Sequence, residues 1–351
     1  MLNVLTEQLR RRENLTEEQV RDAIAQLTAE TVAVEAKADF LTALAQKGEA
    51  TEEIANFARH LRELSIQPPL DAETRAREIL DVCGTGGDKL NTFNISTTVA
   101  LVCASGGGAV AKHGNRAITS QSGSADVLET LGIRIDLTPE EAARSLKEHH
   151  FAFFFAQKYH PAFKNIGPAR KLCAERGQRT IFNFLGPLMN PVRPSAQLIG
   201  VPRPQLCEPM ARVLQSLGIR RGMVVTGEVP VPGQPSPAHL DEFSTLGETT
   251  VAEFYHDRGF TTSSLSPENY PLQPATLADL AGGDKEANAA IVRRVLAGDE
   301  RGPKRDAVLL NAGAALFVAG KVKSITEGWE LAANLIDGGR ASAQLKALSG
   351  R

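Results

Sequence analysis

Through residues 1–66 the apolar positions recur every third or fourth residue, the spacing of one helix face. The strongest start signal is Leu15-Thr16-Glu17-Glu18-Gln19-Val20: Thr16 can cap, Gln19 can complete a capping box, and Leu15 can staple onto Val20. Val20, Ile24 and Leu27 then line one face. A second helix is predicted over residues 34–46, stopped by Lys47-Gly48, and a third from about Thr51, with Ile54, Phe57, Leu61 and Leu64 on its apolar side. Three short amphipathic helices make a small bundle, able to dock on the rest of the chain or on a second subunit. Residues 65–70, with Pro68-Pro69, read as a linker.

From Asp71 on, short apolar runs alternate with helix-like segments. Strands are predicted at 79–83, 109–111, 151–156, 198–201, 223–226 and 250–254. The run at 151–156 is apolar throughout, as in a parallel strand buried on both faces. Thr138, Pro139 and Glu141 form a start signal for a helix that His149-His150 would end. Further helices are predicted at 99–104, 160–176 with a break at Gly167-Pro168, 206–217, 285–296 and 306–319. This alternation predicts an α/β fold: a small N-terminal helical domain, residues 1–70, and a larger α/β domain, 71–351, whose mostly parallel sheet is covered by helices. Residues 228–238, EVPVPGQPSPA, hold four prolines and read as an exposed loop.

Composition narrows the function. A chain of 351 residues, 42% hydrophobic and 23% charged, can bury a sizeable core. Its formal net charge of −2 offers no global basic field, so no nucleic-acid partner is expected. An anionic substrate must be held by local groups or by metal ions. Cys83, Cys103, Cys173 and Cys207 show neither a CxxC nor a zinc spacing and read as buried packing thiols in a reducing compartment. No secretory signal or membrane span is read, and a cytoplasmic location is the expectation.

Candidate chemistry concentrates in residues 81–131. Three polar, glycine-rich turns each follow a strand: Gly84-Thr85-Gly86-Gly87-Asp88, then Lys112-His113-Gly114-Asn115-Arg116, then residues 120–126. Asn94-Ile95-Ser96-Thr97 opens a helix between the first two. Glycine lets backbone N–H groups approach an anion, and helix N-termini attract one. Ser96, Thr97, Ser122 and Ser124 add hydroxyls, and Lys112 and Arg116 add positive charge. A single glycine motif is often only a tight turn; three within about fifty residues favour a site for a phosphate-rich ligand.

GTGGD, FNIST, KHGNR and SGSADVLE, in this order, resemble the anthranilate phosphoribosyltransferase family, as do FNFLGPLMNP at 182–191 and the pair Asp241-Glu242. The resemblance spans essentially the whole chain. It implies a nucleoside phosphorylase/phosphoribosyltransferase-like fold with the active site between the two domains. The helical domain would take a later excursion at about 168–194 and form a homodimer. The implied reaction moves the phosphoribosyl group of 5-phosphoribosyl 1-diphosphate onto the amine of anthranilate, in tryptophan biosynthesis, with two magnesium ions. By the same resemblance, Gly84, Gly87, Asp88, Thr92, Asn94, Ile95, Ser96, Thr97, Lys112, His113, Gly114, Asn115, Arg116, Ala117, Ile118, Thr119, Ser120 and Ser124 bind the donor. Gly84, Asn115 and Arg170 bind anthranilate, and Ser96, Asp241 and Glu242 bind metal.

No residue is expected to act as a covalent nucleophile, and His113 reads as a loop histidine that only hydrogen-bonds. Three features depart from the family pattern. Lys89 stands where glycine is common, Thr119 replaces a common serine, and the acidic pair follows Pro-Ala-His-Leu instead of Asp-Gly and leucine. KHGNR alone also suits a pyrimidine nucleoside phosphorylase of the same fold class. A non-catalytic nucleic-acid-binding relative is a third reading, which the slight negative charge disfavours.

Overall fold

The computed structural model describes residues 2–117, 121–231, 233–256 and 259–350. Four helices open the chain: α1 (Leu2–Arg10), α2 (Glu17–Thr28), α3 (Val34–Lys47) and α4 (Thr51–Glu63). At the start of α2 the capping box forms in both directions, Gln19 N to Thr16 Oγ1 at 3.3 Å and Thr16 N to Gln19 Oε1 at 2.9 Å. Leu15 and Val20 are buried in one core. The bundle has one helix more than the three expected: α1 turns Leu2, Leu5 and Leu9 inward and leaves its charges outside.

After the short α5 (Ala72–Ala76) come β1 (Ile79–Gly84), α6 (Ile95–Ser105), β2 (Ala109–Gly114), α7 (Ser124–Thr130), α8 (Pro139–His149) and β3 (Phe151–Phe155). The chain then turns back toward the bundle through α9 (Ala156–Tyr159), α10 (Gly167–Glu175) and α11 (Phe182–Leu185). Ile166, Ala169, Cys173, Ile181, Phe182 and Leu185 share the core of α1–α4. The helical segment expected over 160–176, with a break at Gly167-Pro168, is two pieces, a 3-10 turn at Pro161–Asn165 and α10. Pro168 sits in the first turn of α10, where its missing N–H leaves no bond unmade. Gly167-Pro168 therefore marks the break by starting the second piece.

The remaining elements are β4 (Ala196–Gly200), α12 (Cys207–Ser216), β5 (Arg221–Val229), β6 (Ala238–Leu240), β7 (Thr249–Tyr255), β8 (Thr261–Leu265), α13 (Lys285–Ala297), α14 (Pro303–Val318), α15 (Ile325–Asp337) and α16 (Arg340–Ser349). The sheet runs β3-β2-β1-β4-β5-β7-β8, with β6 also paired to β5. β3 to β5 are mutually parallel, whereas β6, β7 and β8 add antiparallel. The proline-rich stretch joins β5 to β6, so it is the loop of an antiparallel hairpin. No helix among the described residues is long and apolar enough to cross a membrane.

Side chains alternate across the parallel strands. Leu198, Met223 and Val225 join the core under α6 and α13–α16. Ile199 and Val224 join the opposite core, which is continuous with the helical bundle through α12. The glycine turns at these strand ends lie against the segment that packs on the bundle: His113 reaches the Gly186 carbonyl, and Gly87 stands beside Arg179.

Within the bundle one ion pair is fully enclosed: Lys47 Nζ lies 2.6 Å from Glu53 Oε2, with side chains 3% and 1% exposed. Glu53 also accepts from Leu15 N and Ala50 N, at 2.9 and 2.8 Å. Glu53→Ala should destabilise the protein by about 3 kcal/mol, since it strands a buried ammonium and two N–H groups. Chemical denaturation of both proteins measures this, and a loss under about 1 kcal/mol would contradict it.

Candidate active site

The acidic pair sits where β6 ends, against the turns that follow β1 and β4. Asp241 Oδ2 accepts a hydrogen bond from Gly86 N at 2.7 Å. Glu242 Oε1 accepts from Ser96 N, in the first turn of α6, at 3.2 Å. Room for this comes from two strand-end glycines. A Cβ on Gly84 would lie 2.2 Å from Asp241 Oδ2, and one on Gly200 would lie 1.5 Å from the Asp241 carbonyl oxygen. The second glycine turn joins through Lys112, which is buried and donates to the Val82 carbonyl at 2.7 Å and to Ser96 Oγ at 3.3 Å. Gly84, Gly86, Asp88, Ser96, Lys112, Asp241 and Glu242 thus form one cluster.

Its electrostatics are unbalanced. Burial raises the Asp241 carboxyl well above the usual range, and Asp88 and Glu242 raise it further. Burial also raises Glu242, against the pull of Lys112. Burial lowers Lys112 in turn. Carboxylates held together in a low-dielectric place ionise reluctantly unless a cation joins them. All the donors are hard oxygens, which suits magnesium. The described residues hold no cage of three or more histidine, cysteine or carboxylate ligands. Magnesium, which keeps several waters and takes few protein ligands, needs none.

The remaining loop residues fall into three groups. Asn94 is tied on both sides, Nδ2 to the Ser122 carbonyl at 3.4 Å and Oδ1 to Asn288 Nδ2 at 2.9 Å. Ile95 and Thr97 are buried, and Thr92 bridges to Ala281. Gly114 leaves space for Ser124, whose Oγ would meet a Cβ at 2.3 Å. The Asn115 carbonyl accepts from Ala125 N at 3.2 Å, while Asn115 Oδ1 accepts from Arg116 N at 2.8 Å. Arg116 is directed to α7: it pairs with Asp126 and Glu129, each at 2.9 Å. Ala117 N donates to Asp126 Oδ2 at 3.0 Å. Ile118, Thr119 and Ser120 lie outside the described residues.

His113 is buried, with Nδ1 3.1 Å from the Gly186 carbonyl and Nε2 3.1 Å from His160 Nε2. A carbonyl can only accept, so Nδ1 carries the proton and Nε2 accepts from His160. Burial, then His160, push the His113 pKa down to about 3. A ring so placed stays neutral at any working pH and is no proton carrier. Lys89, where glycine is common, has φ 62°, and Asn91 has φ 54°. This left-handed backbone is the reason glycine suits the position.

Arg170 lies on α10, on the bundle side. It is half-buried, with its guanidinium carbon 5.1 Å from the centre of the Phe182 ring. No described carboxylate pairs with it, and burial lowers its pKa. Two further groups escape sequence reasoning. Asn190, within FNFLGPLMNP, is wholly buried and donates to Asp81 Oδ2 at 2.9 Å and to the Ala111 carbonyl at 2.7 Å. Burial pushes the Asp81 carboxyl up to about 6. Arg179, between α10 and α11, brings Nη2 to 3.3 Å from where a Cβ on Gly87 would stand. A lone exposed arginine carries no pattern in sequence; only the distance reveals it.

Residues 76–342 match the glycosyl transferase family a/b domain, and residues 4–65 match the helical bundle domain of that family. The chain is 45% identical over 348 residues to the anthranilate phosphoribosyltransferase of Lacticaseibacillus casei, covering 99% of this chain and 96% of that one. It is 47% identical over 308 residues to that of Caulobacter vibrioides, covering 88% and 84%. Among solved structures, anthranilate phosphoribosyltransferase from Thermus thermophilus superposes with a TM-score of 0.87 at 41% identity, over 99% and 98% of the two chains. The Saccharomyces cerevisiae enzyme in complex with PRPP and Mg superposes at 0.86 and 26% identity, over 99% and 97%.

The space above Gly84 yields a direct test. Gly84→Ala should force the Asp241 carboxylate out of its place and weaken divalent-cation binding about tenfold or more, with the fold kept. Calorimetric titration with Mg²⁺ or Mn²⁺, beside a thermal melt, reads both. Unchanged cation affinity would show that Asp241 does not hold the ion.

Proposed function

Because this chain belongs to the anthranilate phosphoribosyltransferase family, we propose that its cleft transfers the phosphoribosyl group of 5-phosphoribosyl 1-diphosphate to anthranilate, a step of tryptophan biosynthesis. One observation carries the reading: backbone N–H groups of the first glycine turn and of α6 hold Asp241 and Glu242 together, with Lys112 alongside. The anthranilate nitrogen forms a bond to C1 of the ribose as the bond from C1 to diphosphate oxygen breaks. Diphosphate leaves with the electron pair, and the nitrogen gives up a proton. An aromatic amine needs no deprotonation before it attacks, so no general base is required, and catalysis rests on positioning and charge.

The residues divide this work. Gly84, Gly87, Asp88, Thr92, Asn94, Ser96, Lys112 and Ser124, with the backbone of the turns, seat the donor. Ser96, Asp241 and Glu242 would hold two magnesium ions, which when bound neutralise charge on the departing diphosphate. Arg116, engaged by α7, serves this reading as the brace of its loop. Arg170 takes the anthranilate carboxylate by paired hydrogen bonds, with Gly84 and Asn115 beside the ring. The Saccharomyces cerevisiae enzyme has been solved in complex with 4-fluoroanthranilate, and this chain superposes on it with a TM-score of 0.85 at 25% identity, which supports the acceptor class.

The helical domain is assigned residues 1–70 and the excursion 168–194, and the α/β domain the rest. A homodimer through that domain is part of this reading; Val4, Leu64 and Ile66 are exposed apolar residues on the helical side. Four free, buried thiols suit a reducing, cytoplasmic setting.

Loss of anthranilate fluorescence on mixing with the donor and magnesium tests the activity, and no turnover across a magnesium series would sink it. Arg170→Ala should raise the anthranilate KM about tenfold or more and leave the donor KM within about twofold. Equal rises in both would contradict the assigned role.

A further inference from the structure

The donor carries several negative charges, and the cleft that must hold it is itself acidic. Asp88, Asp241 and Glu242 stand there. Of the two cations in the second glycine turn, Arg116 is engaged by Asp126 and Glu129, and Lys112 is buried and bonded to Val82 and Ser96. Arg179 is different. It reaches the first glycine turn from the helical side, with Nη2 3.3 Å from a Cβ position on Gly87. No described carboxylate lies within ion-pair distance of it.

Its backbone is fixed although its side chain is exposed. Thr180 N is capped by Asn183 Oδ1 at 2.9 Å, the Arg179 carbonyl accepts from Gln178 Nε2 at 2.7 Å, and Thr180 and Ile181 are buried. Gly87 has φ 88°, a conformation that side chains avoid, and the missing side chain keeps the guanidinium's approach open. An exposed cation on a fixed stem therefore overhangs the first glycine turn.

We propose that Arg179 is a further donor-binding residue, delivering a guanidinium from the helical domain to the phosphate oxygens seated on the Gly84–Asp88 turn. This rests on the reading of the cleft given above. It makes the helical domain a partner in donor binding as well as in anthranilate binding, so each substrate is held from both sides of the cleft.

The test uses the full-length protein with magnesium and three forms: wild type, Arg179→Gln and Arg179→Lys. Arg179→Gln should raise the donor KM, and the calorimetric Kd for 5-phosphoribosyl 1-diphosphate measured without anthranilate, about tenfold or more. The anthranilate KM and the melting temperature should stay near those of wild type. Arg179→Lys should recover part of the loss, because it keeps the charge without the fork. Donor affinity within twofold of wild type in Arg179→Gln overturns the proposal, as do equal losses for both substrates. A wild-type protein that binds no donor would instead sink the broader reading.

Discussion

Two hydrogen bonds from backbone to carboxylate, Gly86 to Asp241 and Ser96 to Glu242, organise this molecule's working end. They bring a hairpin at the antiparallel side of the sheet into register with turns that belong to its parallel half. The first could not keep its geometry if Gly84 or Gly200 carried a side chain, because the Asp241 backbone and carboxylate fill that space. The arrangement carries an electrostatic cost. Two acids share a dry place, and the nearest lysine is itself reluctant to be charged there. Acids so placed are chemically suited to a divalent cation.

Another buried acid has a different purpose. Asp81 stands on β1, the strand that leads into the first glycine turn, where it accepts from Asn190 and from the His113 backbone N–H, the latter at 3.4 Å. Asn190 ends the excursion toward the bundle, so this contact pins the returning chain to β1 and, through Ala111, to β2. His113 continues the same seam by holding the Gly186 carbonyl. Polar groups with complete partners specify one geometry, whereas an apolar seam would slide. The cleft's two walls meet along a line of directed bonds.

Much of this was legible in the sequence. The capping boxes at Thr16 and Thr138 formed as their spacing dictates, because both partners are local. The parallel strands showed as apolar runs, since burial on both faces leaves no alternation to confuse. What escaped notice depends on distant partners. The edge strand β8, Thr261–Leu265, is largely exposed and built of threonine and serine, so no apolar signal marks it. α15 and α16 are not among the predicted helices, although α15 buries Trp329, Leu335 and Ile336. At the site, the glycine turns and the acidic pair are visible as motifs, and charge and the KHGNR motif together mark Arg116 as a phosphate ligand, but neither shows what holds it in place. Its ties to Asp126 and Glu129 come from a helix turn that only the fold brings opposite it. Arg179 belongs to no local pattern, and Asn190, although inside FNFLGPLMNP, bonds to partners that only the fold supplies.

The unbroken core beneath α12 bears on how such a protein can be reshaped. Ile199, Val224 and Phe254 lie on the sheet, yet they pack in the same hydrophobic mass as Phe40, Phe57 and Leu61 of the bundle. The two halves are therefore not beads on a string. A bundle grafted from another lineage would have to match this shared surface residue for residue, and a sheet expressed without it would show water a greasy flank. Recombination between relatives should accordingly cross over inside loops that keep both sides of this mass together, and drift in one half must be answered by the other.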